Sequence, residues 1–138
     1  MRILALDVGD QRIGVAVSDA IGLTAQPVTV VQRQSAAKDL DAIEALRVQR
    51  QAEKIVVGLP LTLRGEQGPQ AKKVVAFAEA LRQKTGVAIE LVDERFTTAQ
   101  AQRVMLDADA SRRKRKQVID QVAAQLILQS YLDTHRPS

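Results

Sequence analysis

Nothing in this chain can form a disulfide or a thiolate-held metal site, because cysteine is absent. That accords with a reducing compartment, and the expectation is a cytoplasmic protein. Tryptophan is absent as well, and Phe77, Phe96 and Tyr131 are the whole aromatic content. Three aromatics are too few for a base-stacking platform, so any nucleic acid should be read through backbone and shape. A single histidine, His135 beside the C-terminus, leaves carboxylates and water as the principal means of holding a metal. No apolar run approaches the ~18 residues of a membrane span. The apolar N-terminal stretch is short and interrupted by Asp7, unlike a secretory signal, so no membrane partner is expected.

What is present is the composition of a globular protein, with 46% hydrophobic and 26% charged residues over 138 positions. One domain spanning 1–138 with a real core is expected. The net charge is +4, and Arg112, Arg113, Lys114, Arg115 and Lys116 supply five positive charges in a row; removing those five leaves −1. The basic character therefore belongs to one segment. Such a run is either a local contact for a polyanion or a solvated face.

Arg2 to Val8 reads as a buried strand, Gly9 to Arg12 as a turn and Ile13 to Val17 as a partner strand. A third strand is expected at Pro27 to Val31, with Pro27 at its beginning. Ser35 is a candidate N-cap for a helix to about Gln51, with Leu40, Ile43 and Leu46 on its inner face. Lys54 to Val57 reads as a strand closed by Gly58-Leu59-Pro60. Pro69 suits the first position of an amphipathic helix ended by Gly86. Val87 to Val92 reads as the next strand, a capping box at Thr97 and Gln100 predicts a helix to about Leu106, and the basic run breaks the pattern. A last helix is expected from about Lys116 to Thr134. The order implies an α/β fold with a mixed five-stranded sheet: three antiparallel strands, then parallel crossovers, flanked by helices.

In such sheets function collects at the carboxyl ends of the strands, which here carry Asp7, Gly58-Leu59-Pro60 and Asp93-Glu94. An ionised Asp7 among apolar neighbours costs several kcal/mol unless a cation or hydrogen bonds offset it. Asp120 shares a helical face with Ala124, Ile127 and Tyr131, so it should point inward. Taken singly, Asp7 could be a turn residue bonded to its own backbone, and Asp120 an acid favoured by a helix N-terminus. Together, Asp7, Asp93 or Glu94, and Asp120 form the oxygen cluster that Mg²⁺ or Mn²⁺ prefers, and carboxylates bridging two metals would explain so much negative charge in one pocket.

Four stretches then stand in order: Leu6-Asp7-Val8-Gly9-Asp10-Gln11-Arg12-Ile13-Gly14-Val15-Ala16, Val57-Gly58-Leu59-Pro60-Leu61 with Gly65 to Pro69, Val92-Asp93-Glu94-Arg95-Phe96-Thr97-Thr98, and Ile119-Asp120-Gln121-Val122-Ala123-Ala124 continuing to Gln129. This succession resembles the YqgF family, also called RuvX, of the ribonuclease H-like superfamily, and the resemblance runs from about Arg2 to Leu132. It implies a ribonuclease H-like fold and a nuclease, acting either on the 5′ end of the small-subunit ribosomal RNA precursor or on Holliday junction DNA. Asp7, Glu94 and Asp120 match the family's acidic triad. Strand alternation sets Asp93 and Glu94 on opposite faces, and the resemblance selects Glu94.

The mechanism so implied is a two-metal site, Mg²⁺ or Mn²⁺ roughly 4 Å apart, on a scissile phosphodiester. No Ser, Cys or His nucleophile is then needed. A junction offers two equivalent strands, so resolving it would favour a homodimer. Two other classes compete with this reading. Asp7 to Gly14 also resembles the first phosphate motif of the actin and sugar-kinase group, but that fold places ATP between two such domains, and no Gly-x-x-x-x-Gly-Lys-Ser/Thr loop is present. A non-catalytic nucleic-acid or ribosome-assembly binding module would gain little from acids facing phosphate.

Arg12, Arg95 and the run Arg112, Arg113, Lys114, Arg115 and Lys116 are the candidate phosphate contacts. The loop from Leu61 to Gly68, with Arg64, could close over a substrate as a lid or serve as an ordinary connection. If the run engages about four phosphates, log affinity for duplex should fall against log salt with a slope near −3.6. Replacing the run with neutral residues should flatten that slope; an unchanged slope would make it a solvated face.

Overall fold

In a computed structural model the chain is described for residues 1–94 and 112–135, with side chains described for 1–94 and 122–135. The elements are β1 (Arg2–Val8), β2 (Arg12–Ser18), β3 (Ala25–Gln32), α1 (Ala36–Arg50), β4 (Ala52–Leu59), α2 (Pro69–Thr85), β5 (Ala88–Asp93) and α3 (Arg112–Thr134). The five strands form one sheet in the order β3-β2-β1-β4-β5. β1 and β2, and β2 and β3, are antiparallel; β1 and β4, and β4 and β5, are parallel. The mixed sheet expected from the element order is therefore the observed one.

Local chemistry sets the helix limits. The Ser35 side chain accepts a hydrogen bond from the Lys38 amide at the start of α1, and Gln51 closes the helix in the left-handed region at φ 57°. Pro69 opens α2, and Gly86 closes it at φ 71°. β2, β4 and β5 differ from the expected ranges by one or two residues at their ends, and two differences are larger. β3 begins at Ala25, so Pro27 lies inside it, at a register shift opposite Ala16; β3 is an edge strand, where a missing N–H is tolerated. The basic run does not break the last helix. Arg112, Arg113, Lys114, Arg115 and Lys116 form its first turns, because Arg and Lys are good helix formers and like-charge neighbours cost only a few tenths of a kcal/mol each. The helix expected from Thr97 to about Leu106 lies outside the described residues.

Strand alternation divides the core. Leu4, Leu6, Val15, Ile55 and Val57 face α1 and α2, where Ile43, Val74, Phe77 and Leu81 cover them. Ile3, Ala5, Ala16 and Val56 face α3, where Ala124, Leu128, Tyr131 and Leu132 cover them. α3 is also fixed by polar contacts. Gln129 Oε1 accepts from the Ala25 amide at 3.0 Å, and Gln125 Nε2 donates to the Ala25 carbonyl at 3.1 Å. At the opposite side of the helix Lys54 Nζ donates to the Tyr131 hydroxyl at 2.6 Å and lies 3.0 Å from Glu90 Oε2. The bond to Tyr131 holds the Lys54 ammonium above its usual range. Burial pushes the Glu90 carboxyl up, but Lys54 and Tyr131 outweigh it and hold Glu90 below the ordinary carboxylate range. Among the described residues no helix is long and apolar enough to cross a membrane.

Candidate active site

Parallel pairing of β1 with β4 and of β4 with β5 brings three strand ends level. Leu6 pairs with Val57, and Gly58 pairs with Val92, so one step beyond Leu6 sets Asp7 beside Gly58, at a strand spacing of about 4.8 Å. Ile3 and Ala5 face α3, and alternation gives Asp7 the same face. Asp7 is only 5% exposed there.

Glu94 follows β5 and is 1% exposed. Its position is fixed by the glycine beneath it. A Cβ on Gly58 would stand 3.0 Å from Glu94 Cγ, 3.2 Å from Glu94 Cδ and 2.6 Å from Ile127 Cδ1 of α3. Glu94 therefore lies over the α3 face of β4 at Gly58, the residue that Asp7 adjoins from β1. Two buried carboxylates flank one glycine. Asp93 is half-buried and pairs in the ladder with Leu59.

Asp120 stands in α3 one turn before Ala124 and two turns before Ile127, both fully buried against the sheet. Its side chain is outside the described residues, as are those of Arg112, Arg113, Lys114, Arg115 and Lys116; Arg95 and Phe96 lie outside them altogether. Among the described residues no three His, Cys, Asp or Glu side chains form a metal-holding group. Arg12, half-buried, opens β2 at the turn that follows Asp7. Phe77 is core, 7% exposed beneath α2. His135 stacks on Tyr131 at 4.0 Å between ring centroids, with Nδ1 2.8 Å from the Tyr131 carbonyl oxygen.

The Leu61 to Gly68 loop is internally bonded. The Thr62 amide donates to the Glu66 carbonyl at 2.9 Å, and the Gly65 amide, in a residue at φ 82°, donates to the Thr62 carbonyl at 2.8 Å. It projects from the carboxyl end of β4 with Leu63 94% exposed.

Sequence reasoning did not single out Gly58 as the seat of Glu94, nor Arg33 and Asp39 below the site. Asp39 carried a usable signal, since it lies one turn before the buried Ile43 as Asp120 lies one turn before Ala124.

A sheet of this order, with three helices among the described residues and buried acids at its carboxyl edge, defines a ribonuclease H-like fold of the RuvC kind. It is similar over 100% of this chain and 99% of the other to Thermus thermophilus RuvC in complex with Holliday junction substrate, at TM-score 0.59 and 15% identity. Fowlpox virus resolvase, in a complex with Holliday junction DNA, matches at TM-score 0.54 and 11% identity, covering 99% and 100% of the two chains. Residues 1–134 match the RuvX family, described as Holliday junction resolvase, and the chain belongs to that family. A Myxococcus xanthus protein is 50% identical over 137 residues, covering 99% of this chain and 91% of its own length, and a Clostridioides difficile protein is 51% identical over 132 residues, covering 96% and 94%. Both carry the name "Putative pre-16S rRNA nuclease".

The close approach at Gly58 is directly testable. Gly58→Ala should destabilise the protein by about 1–3 kcal/mol through overpacking. Ile127→Val removes the Cδ1 atom that the new methyl would strike, so in that background the same substitution should cost measurably less. Urea unfolding of the native protein, the two single variants and the double variant reads the difference. Equal costs in both backgrounds would contradict the packing at this position.

Proposed function

We propose that this chain is a divalent-metal-dependent endonuclease that hydrolyses phosphodiester bonds in structured RNA, with the 5′ end of the small-subunit ribosomal RNA precursor as its substrate. The observation that carries the reading is the burial of Asp7 and Glu94 on one face of the sheet, on either side of Gly58. Both carboxylates are buried beside the same residue of β4, and a hard divalent cation is a natural match for an all-oxygen donor set. Asp7 and Glu94 fit Mg²⁺ or Mn²⁺ as ligands, and Asp120 on the adjoining helix completes the set.

When bound, such an ion supplies positive charge that acidifies a water and stabilises the oxyanion leaving from phosphorus. The chain's own residues do the rest. β1 and β5 hold the two carboxylates at fixed separation, so little reorganisation accompanies the reaction. The apolar cover of Ala124 and Ile127 limits water around the acids and strengthens each charge interaction there. Arg12 and the basic first turns of α3, with Arg95, provide the phosphate contacts, and these orient substrate without reading its sequence. Relatives about 50% identical over nearly the whole chain support the ribosomal precursor, whose processing would place the protein in the cytoplasm. The family's description favours a second substrate, the four-way DNA junction, whose symmetric cleavage would favour a homodimer.

The native protein and Asp7→Asn should be incubated side by side, in Mg²⁺ or Mn²⁺, with an RNA spanning the precursor's 5′ end and with a four-way junction. The expected result is cleavage of the RNA by the native protein. Loss of an outer-shell partner alone costs about 10–100-fold, so removing a ligand charge should lower the rate at least about a hundredfold. Near-normal cleavage by Asp7→Asn would exclude this site. Cleavage of the junction alone, at paired positions, would replace the RNA reading with the resolvase reading, and binding of both without cleavage would indicate a binding module.

A further inference from the structure

The side chains that hold the chain just beyond Asp7 come from outside the β1–β2 hairpin. The ladder between these strands ends at Val8 and Ile13, and the turn's own closure is the Gly9 amide donating to the Arg12 carbonyl at 2.8 Å. Arg33, immediately after β3, reaches across to it. Arg33 Nη1 donates to the Gly9 carbonyl at 3.0 Å, Nε donates to Asp39 Oδ2 at 3.1 Å, and the guanidinium lies 5.3 Å from the Phe77 ring centre. Asp39 is 3% exposed and accepts a second bond, from the Gln34 amide at 2.9 Å. From α2, Gln70 Nε2 donates to the Val8 carbonyl at 3.3 Å. Both carbonyls that follow Asp7 are thus held by side chains of other elements.

We propose that Arg33, locked by Asp39, is a positioning residue for the active site: it clamps the Gly9–Arg12 turn and so fixes Asp7 on one side and Arg12 on the other. The inference rests on the reading of Asp7 as a catalytic ligand. The physical case is the fork of the guanidinium. It presents donors in two directions at fixed geometry, one to a buried carboxylate that cannot move and one to a backbone carbonyl two residues from Asp7. The Asp39 bond sets where the guanidinium stands, and the Gly9 bond passes that position to the turn. Asp39 is itself seated in the first turn of α1 behind the Ser35 cap, so the turn is referenced to a helix and not to a loop. The turn has no slack of its own, since even a Cβ at Gly9 would stand 2.9 Å from the Arg12 carbonyl oxygen.

Arg33→Lys separates positioning from support of the fold, because an ammonium keeps positive charge beside Asp39 but loses the second, rigidly placed donor to Gly9. Two readouts apply to the full-length protein. Amide hydrogen exchange should quicken at Gly9 by about tenfold or more while the amides of α1 keep their protection. In RNA cleavage kcat should fall by about tenfold with KM unchanged, since a 1 Å misplacement costs up to about a hundredfold. Unchanged exchange at Gly9 overturns the clamp. Faster exchange with unchanged kcat, or loss of protection through α1 as well, overturns the positioning role and leaves a structural one. If the native protein cleaves no nucleic acid, the reading of Asp7 fails separately, and the exchange comparison alone decides whether Arg33 holds the turn.

Discussion

Two carboxylates buried beside one glycine are the constraint around which this molecule is arranged. Asp7 and Glu94 can flank Gly58 only because β4 is inserted between β1 and β5, so that the ends of two strands far apart in sequence arrive level on one face. The pair also requires that nothing larger than hydrogen project from position 58, where Glu94 and Ile127 approach together. Burying a carboxylate takes it out of water, a cost that hydrogen bonds or a charge of the other sign must offset.

The two faces of the sheet divide the work. α1 and α2 bury an aliphatic core against one face, with Arg33 and Asp39 as a satisfied polar pair at its edge. α3 covers the other face and is held by glutamines to β3 and by Tyr131 to Lys54. Those polar contacts matter because a helix packed through alanines and leucines alone could turn or slide by a fraction of a residue at small cost. Fixing its phase fixes where Ile127 meets Gly58, and it sets the stripe on which Asp120 occurs. The clamp at Gly9 joins the halves, carrying the rigidity of the α1 side to the turn beyond Asp7.

Most of the fold was legible in the sequence because its punctuation is local. Ser35, Pro69 and Gly86 act within a turn of where they stand, and the alternation of β1 follows from its own apolar residues. Asp7 was legible for the same reason, as a charge in a strand otherwise fit for burial. Pro27 was misjudged because its tolerance depends on β3 being an edge, a property of the assembled sheet. The basic run was misjudged because clustered charge was taken to interrupt a helix, whereas helix propensity and the apolar residues that follow outweigh modest repulsion. Gly58, Arg33 and Asp39 owe their roles to contacts between elements distant in sequence. Spacing alone does not distinguish Asp39, satisfied by an arginine and a backbone amide, from an acid that serves chemistry.

The central claim is that Asp7 and Glu94 together hold a divalent cation. Calorimetric titration of Mn²⁺ into the native protein, Asp7→Asn and Glu94→Gln tests it without any nucleic acid. The account predicts saturable binding by the native protein and a large loss of affinity in each variant, with both variants folded. Equal Mn²⁺ affinity in all three proteins would contradict it.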